Sequence, residues 1–141
     1  AEIIDDHTTE QSFTKAATDT AEQLGLDLVD YSVYPDIDAA LPRYIYLFEL
    51  GKASAEVKKE EIRKTLHKNL EKYSPDIESY IEKGIGGQTK LEILQPETYM
   101  FYYDLMVMKG RNPAQLKPVH IINNEFHRRF FFKLTEEDWG K

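Results

Sequence analysis

The chain has 141 residues, 41% hydrophobic and 30% charged, with seven glycines and six prolines, the size and balance of one soluble globular domain rather than a disordered tail or fibrous repeat. It has no cysteine, which excludes disulfide frameworks, thiolate metal sites and cysteine nucleophiles and fits the cytoplasm, and no apolar run approaches the roughly 20 residues that span a bilayer. A net charge of −7 argues against general nucleic-acid binding, whose affinity comes largely from cationic side chains on phosphates.

Residues 9–24 are predicted as the first helix, because Phe13, Ala16, Ala17, Thr20 and Leu24 recur at helical spacing. Thr8 with Gln11 resembles a capping box, and Gly25 suits a left-handed stop. Two strands follow, at 26–34 and 43–50. In the second, Tyr44, Tyr46, Phe48 and Leu50 share one face, and Glu49, on the other, is expected to be solvated. The connection 35–42 suits antiparallel pairing through a longer loop. Its Asp36 and Asp38 are two hard-cation ligands, too few for a site.

Residues 54–73 are the longest predicted helix, running through Val57, Ile62, Leu66, Leu70 and Tyr73, with Glu60 placed against Lys64. Ser74-Pro75 breaks it and opens a short helix through Ile77, Tyr80 and Ile81. The following cluster of Gly84, Gly86 and Gly87 lacks the spacing and lysine of a phosphate-binding loop, so a connecting turn is expected. A third strand at 90–94 precedes a helix at 97–109 whose Tyr/Met face reads as core, and Gly110 stops it. Asn112-Pro113 and Pro118 mark 111–118 as a loop, with a fourth short strand at 119–122. Phe130, Phe131 and Phe132 read as a terminal element packed on the domain. The order α-β-β-α-α-β-α-(β) predicts a single α+β domain, a two-layer sandwich with a small mixed sheet of about four strands.

None of the four histidines, His7, His67, His120 and His127, falls in a zinc-like spacing, so all read as ordinary surface or partly buried residues and no metal site is expected. Charge is uneven: 14 acids face 8 bases in residues 1–70, whereas residues 109–133 hold six bases against Glu125 alone. That local positive field suits a small anion or an acidic partner surface. Lys117, in a proline-bounded loop, is the leading candidate, with Arg111 as a candidate binding residue in the same basic stretch. Residue by residue, the reading reaches an α+β domain with a basic loop, compatible with a stand-alone binding or assembly module.

Three ordered segments add a resemblance. Within 27–50, Tyr44-Ile45-Tyr46-Leu47-Phe48-Glu49-Leu50 resembles a Y-x-x-x-W-E-L strand, with Phe48 in place of tryptophan. Within 86–99, Leu91-Glu92-Ile93 and Pro96-Glu97-Thr98-Tyr99 resemble an L-E-I strand followed by P-G-T-F. Within 110–118, Gly110, Gln115 and Lys117 match the spacing of G-x-x-x-x-Q-[YH]-K, although the proline follows at once and the subsequent arginine is missing. Together these resemble the C-terminal domain of the auxin-responsive Gretchen Hagen three family, the acyl acid amido synthetases of the acyl-adenylate-forming superfamily. The resemblance implies a mobile cap over an N-terminal adenylation domain that binds ATP, Mg2+ and a carboxylic acid and passes the acyl group to an amine, such as an amino acid, or to a thiol. It also implies that Lys117 reaches the nucleotide phosphates, with Gln115 of the same motif as a candidate binding residue. Nothing in these residues resembles the ATP-binding domain, so no cofactor is expected on this domain alone and no ligase activity from it in isolation.

Overall fold

A computed structural model of the chain describes residues 8–138. Helix α1 (Glu10–Leu24) is followed by strands β1 (Leu28–Asp36) and β2 (Arg43–Leu50), helices α2 (Lys59–Tyr73) and α3 (Asp76–Glu82), strand β3 (Lys90–Ile93), and helices α4 (Thr98–Met108) and α5 (Glu125–Lys133). The sheet order is β1-β2-β3, with β1 and β2 antiparallel and β2 and β3 parallel. The α+β class and the predicted order through α4 stand, with a sheet of three strands rather than about four among the described residues and with α5 ending the order. No helix among the described residues is long and apolar enough to cross a membrane.

Local chemistry explains most of the boundaries. Thr9, one residue beyond the expected cap, accepts from the Ser12 backbone N–H, and Gly25 ends α1 at φ 68°, where a Cβ would be strained. Helix α2 begins at Lys59 rather than Ser54. Ser54 and Ala55 instead tie the chain back to the turn after α1, through Asp27 N–H to Ser54 Oγ at 2.7 Å and Ala55 N–H to the Gly25 carbonyl at 2.9 Å.

One face of the sheet packs against α1 and α2, burying Phe13, Ala16, Tyr44, Tyr46, Phe48, Ile62 and Leu66. Phe13 meets the rings of Tyr44 and Tyr46 edge-on, at 4.9 and 6.0 Å between centroids, and Tyr46 Oη donates to the Phe13 carbonyl at 2.9 Å. The opposite face carries a second core of Leu47, Tyr99, Tyr102, Met106, Val119, Ile122 and Phe131. The predicted sandwich is thus present over α1 and α2, and α4 and α5 cover the other face. Of the Tyr/Met stripe on α4, Tyr99, Tyr102 and Met106 are core, whereas Met108 is exposed.

That second layer overturns the expectation for Glu49, which is only 5% exposed. Its Oε2 accepts from the Glu97 backbone N–H at 3.0 Å and its Oε1 from that of Tyr99 at 2.9 Å, so the carboxylate caps α4. The expected fourth strand is also reduced. Residues 119–122 meet β1 at a single bridge, Val33 with Ile121, because the chain pairs only around Val33 before turning into α5.

Candidate functional site

The basic loop after α4 is held at both ends. At its start, Gly110 adopts φ 91°, its N–H reaches the Val107 carbonyl and that of Arg111 the Met106 carbonyl, each at 2.9 Å. Asn112 then caps a 3-10 turn at Pro113–Gln115, its Oδ1 accepting from the Ala114 N–H at 3.0 Å. At its end, the Val119 carbonyl accepts from the buried Ser32 hydroxyl, which also bonds Tyr99 Oη at 2.7 Å. Val33 N–H donates to the His120 carbonyl and Ile122 N–H to the Val33 carbonyl, both at 2.8 Å. Lys117 is exposed between these two anchors.

Arg111, Gln115 and Lys117 all line one open depression of about 1430 Å³, together with Tyr34, Tyr102, Met106 and His127. The structure therefore brings the three sequence candidates to a common surface. Its other cations are engaged: Arg128 forks onto Glu125 at 2.5 and 2.9 Å, and Lys109 lies 4.6 Å from the centre of the Phe126 ring. Arg111 and Lys117 form no ion pair among the described residues. Two unneutralised cations and an amide at one concavity can receive phosphate or carboxylate oxygens.

The described histidines do different work. His120 Nε2 lies 3.1 Å from Asp30 Oδ1 and Nδ1 3.5 Å from Glu10 Oε2, while its ring stacks on Tyr31 at 4.4 Å. The bond to Asp30, opposed by burial and helped by Glu10, raises its pKa above the ordinary value. His127 Nε2 bonds Tyr102 Oη at 2.9 Å and Nδ1 faces Asn124 Nδ2 at 3.1 Å, with its pKa lowered by burial. The Asn124 amide can only donate there, which puts the ring proton on Nε2.

His67 accepts at Nδ1 from the Thr89 N–H at 3.2 Å, which places its proton on Nε2. Glu71 Oε1 is 2.5 Å from that nitrogen without hydrogen-bond geometry. Burial, then Arg63, lowers the His67 pKa. His7 lies outside the described residues.

No three described His, Asp or Glu side chains converge to hold a metal ion; Asp36 pairs with Arg43 at 3.4 Å. The glycine cluster is a connecting turn. The N–H groups of Gly84, Gly86 and Gly87 are bonded to the carbonyls of Ile81, Tyr80 and Pro42, leaving none for a phosphate. His120 and Tyr102 escaped sequence reasoning as neighbours of the loop. The alternation Val119–Ile122 was the one signal that this segment lies along a strand.

A profile of the GH3 (Gretchen Hagen three) family C-terminal domain matches residues 11–126. Among solved structures, the chain resembles a GH3.15 acyl acid amido synthetase with a TM-score of 0.81 and 19% identity over 95% of its length. It likewise resembles AtGH3.15 acyl acid amido synthetase in complex with 2,4-DB, with a TM-score of 0.77, 19% identity and 95% coverage. In both cases it spans 25% of the matched chain. No curated protein sequence matches it.

Proposed function

From the premise that this chain belongs to the GH3 family as its C-terminal domain, we propose that it is the cap of an ATP-dependent acyl-adenylating ligase of the acid-amido synthetase type. The chain is one domain, and it works in the cytoplasm with an N-terminal adenylation domain of the same protein. In the first half-reaction a carboxylate oxygen attacks the α-phosphorus of ATP, the bond to the pyrophosphate oxygen breaks, and pyrophosphate leaves. In the second, an amine or thiol attacks the acyl carbon and AMP departs.

The observation that carries this reading is the exposure of Lys117 beside Arg111 and Gln115 on one concavity, with no carboxylate among the described residues paired with either cation. This donor set fits nucleotide phosphates. Lys117 supplies positive charge where negative charge moves onto the leaving pyrophosphate, and Arg111 and Gln115 orient phosphate or carboxylate oxygens. The described residues do not fit a magnesium site, so Mg2+ enters with the nucleotide and is held outside this set. Movement of the cap between half-reactions would exchange ATP for the acceptor.

The test is the intact mass of the native gene product followed by a pyrophosphate-release screen with carboxylic acids. The proposal expects a polypeptide several times 16.5 kDa that releases pyrophosphate only with its acid, and no release from the isolated chain. A native mass near 16.5 kDa would make the protein a binding or assembly module, and turnover by the isolated chain would overturn the division of labour.

A further inference from the structure

Besides its backbone bonds to Val33 and the Ser32 hydroxyl on the Val119 carbonyl, the segment that carries Lys117 into α5 is attached to the body of the domain, among the described residues, by the charged side chain of His120. Between Lys117 and His120 stand only Pro118, whose ring fixes its own φ, and the buried Val119. The place of the Lys117 backbone is therefore set largely by whatever holds residues 119 and 120. His120 reaches two elements at once, Asp30 on β1 and Glu10 on α1. Its ring lies flat on Tyr31, at 4.4 Å with planes 8° apart, and Tyr31 Oη is bonded in turn to Thr14 on α1 at 2.5 Å. Asp30 is itself oriented, its Oδ1 accepting from the Tyr31 N–H at 2.8 Å.

We propose that His120 is a positioning residue for Lys117: hydrogen-bonded to Asp30 and stacked on Tyr31, its imidazolium holds residues 117–122 along β1 and so fixes where Lys117 stands at the rim of the depression. This rests on the reading of Lys117 as the phosphate-facing lysine, but concerns the order of the loop rather than the chemistry. The ionisable groups facing the ring among the described residues are Glu10, Asp30 and Tyr31. Two are carboxylates, and the Tyr31 hydroxyl stays neutral because burial pushes it up to about 12. Deprotonation removes the ion-pair attraction to both Asp30 and Glu10 and leaves the Asp30 carboxylate only a neutral N–H donor, a weaker bond than that from an imidazolium. The strap is tightest below the ordinary histidine value and loosens as pH rises through the raised value of His120.

The experiment uses the 141-residue chain labelled with 15N. Amide protection factors, corrected for intrinsic exchange at each pH, are measured at Val33 and Ile122, whose N–H groups bond the strap and its β1 partner. Relaxation at Leu116 and Lys117 reports the loop itself. Protection at Val33 and Ile122 should fall roughly tenfold between about pH 6 and pH 8.5, and Lys117 mobility should rise with the midpoint of the His120 imidazole. His120→Gln, which can hydrogen-bond but not titrate, should give weak protection that is flat in pH, with Leu66 and Leu70 in α2 unchanged. Loop order indifferent to the His120 titration, or a Lys117 as ordered in His120→Gln as in the parent at low pH, would overturn the proposal. If the variant fails to fold, the pH curve of the parent decides alone. No nucleotide enters these readouts, so the tether can fail while the phosphate role of Lys117 survives, and the reverse.

Discussion

Replacing Glu49 separates two accounts of strand β2. Side-chain alternation alone puts this carboxylate on the face away from Tyr44, Tyr46 and Phe48, where a solvated acid would tolerate truncation to within about 0.5 kcal/mol. The structure instead buries it to 5% exposure and sets its two oxygens on the Glu97 and Tyr99 N–H groups at 3.0 and 2.9 Å. Hydrogen bonds to a charged group contribute about 1.5–3 kcal/mol each, and a carboxylate at a helix N-terminus gains roughly 0.3–1 kcal/mol more. Part of that is recovered if water reaches the vacated space. Glu49→Ala should therefore cost about 3–4 kcal/mol, and Glu49→Gln, which keeps one acceptor and the shape, about 1–2 kcal/mol. Urea unfolding followed by far-ultraviolet circular dichroism reads both as shifts in midpoint at constant slope. A loss in Glu49→Ala no greater than that of an ordinary surface substitution would refute the capping role and restore the solvated reading.

Ser32→Ala leaves Tyr99 Oη and the Val119 carbonyl without their buried partner, and should lower stability by about 1–3 kcal/mol in the same unfolding assay. Burial holds the His67 pKa below its ordinary value, so on acidification the unfolded chain takes up this proton first. The contribution of a neutral His67 is complete above about pH 6.5 and is lost as pH falls through the lowered folded value. The stability gap between the parent and His67→Gln, followed from about pH 7.5 to pH 5, should narrow toward acid; a constant gap would refute this. At Gly87 a Cβ would stand 2.9 Å from the Leu41 carbonyl oxygen, so Gly87→Ala should cost about 1–3 kcal/mol, visible as a lower urea midpoint.

What was legible in the amino-acid order was local. Helix α1 announces itself through the spacing of Phe13, Ala16, Ala17 and Thr20, and Gly25 stops it where a left-handed residue is needed. Strand β2 occupies its predicted residues, because apolar alternation and the flanking Pro42 and Gly51 bound it on both sides. Arg111 and Lys117 are legible from the local run of bases and the flanking prolines, and Gln115 from its spacing between Gly110 and Lys117.

What stayed hidden depends on pairings across the fold. Alternation assigns Glu49 to a face but does not say that α4 will cover it, and the capped N–H groups are some fifty residues away. Residues 119–122 look like a strand, yet the number of bonds they make is set by where α5 must begin, and one bridge is all that fits. His120 reads in the sequence as an ordinary histidine. Its partners Asp30 and Glu10 lie 90 and 110 positions away, and no spacing rule joins them.

The central claim is that this domain brings Lys117 to the phosphates of a nucleotide held by the rest of the polypeptide. It is tested most directly by carboxylate-dependent exchange of pyrophosphate into ATP, measured on the native-length protein and its Lys117→Ala variant. The account predicts a loss of roughly 10²–10³-fold in exchange with an unchanged unfolding midpoint, since an exposed loop lysine contributes little to stability. Undiminished exchange in a correctly folded variant would contradict it.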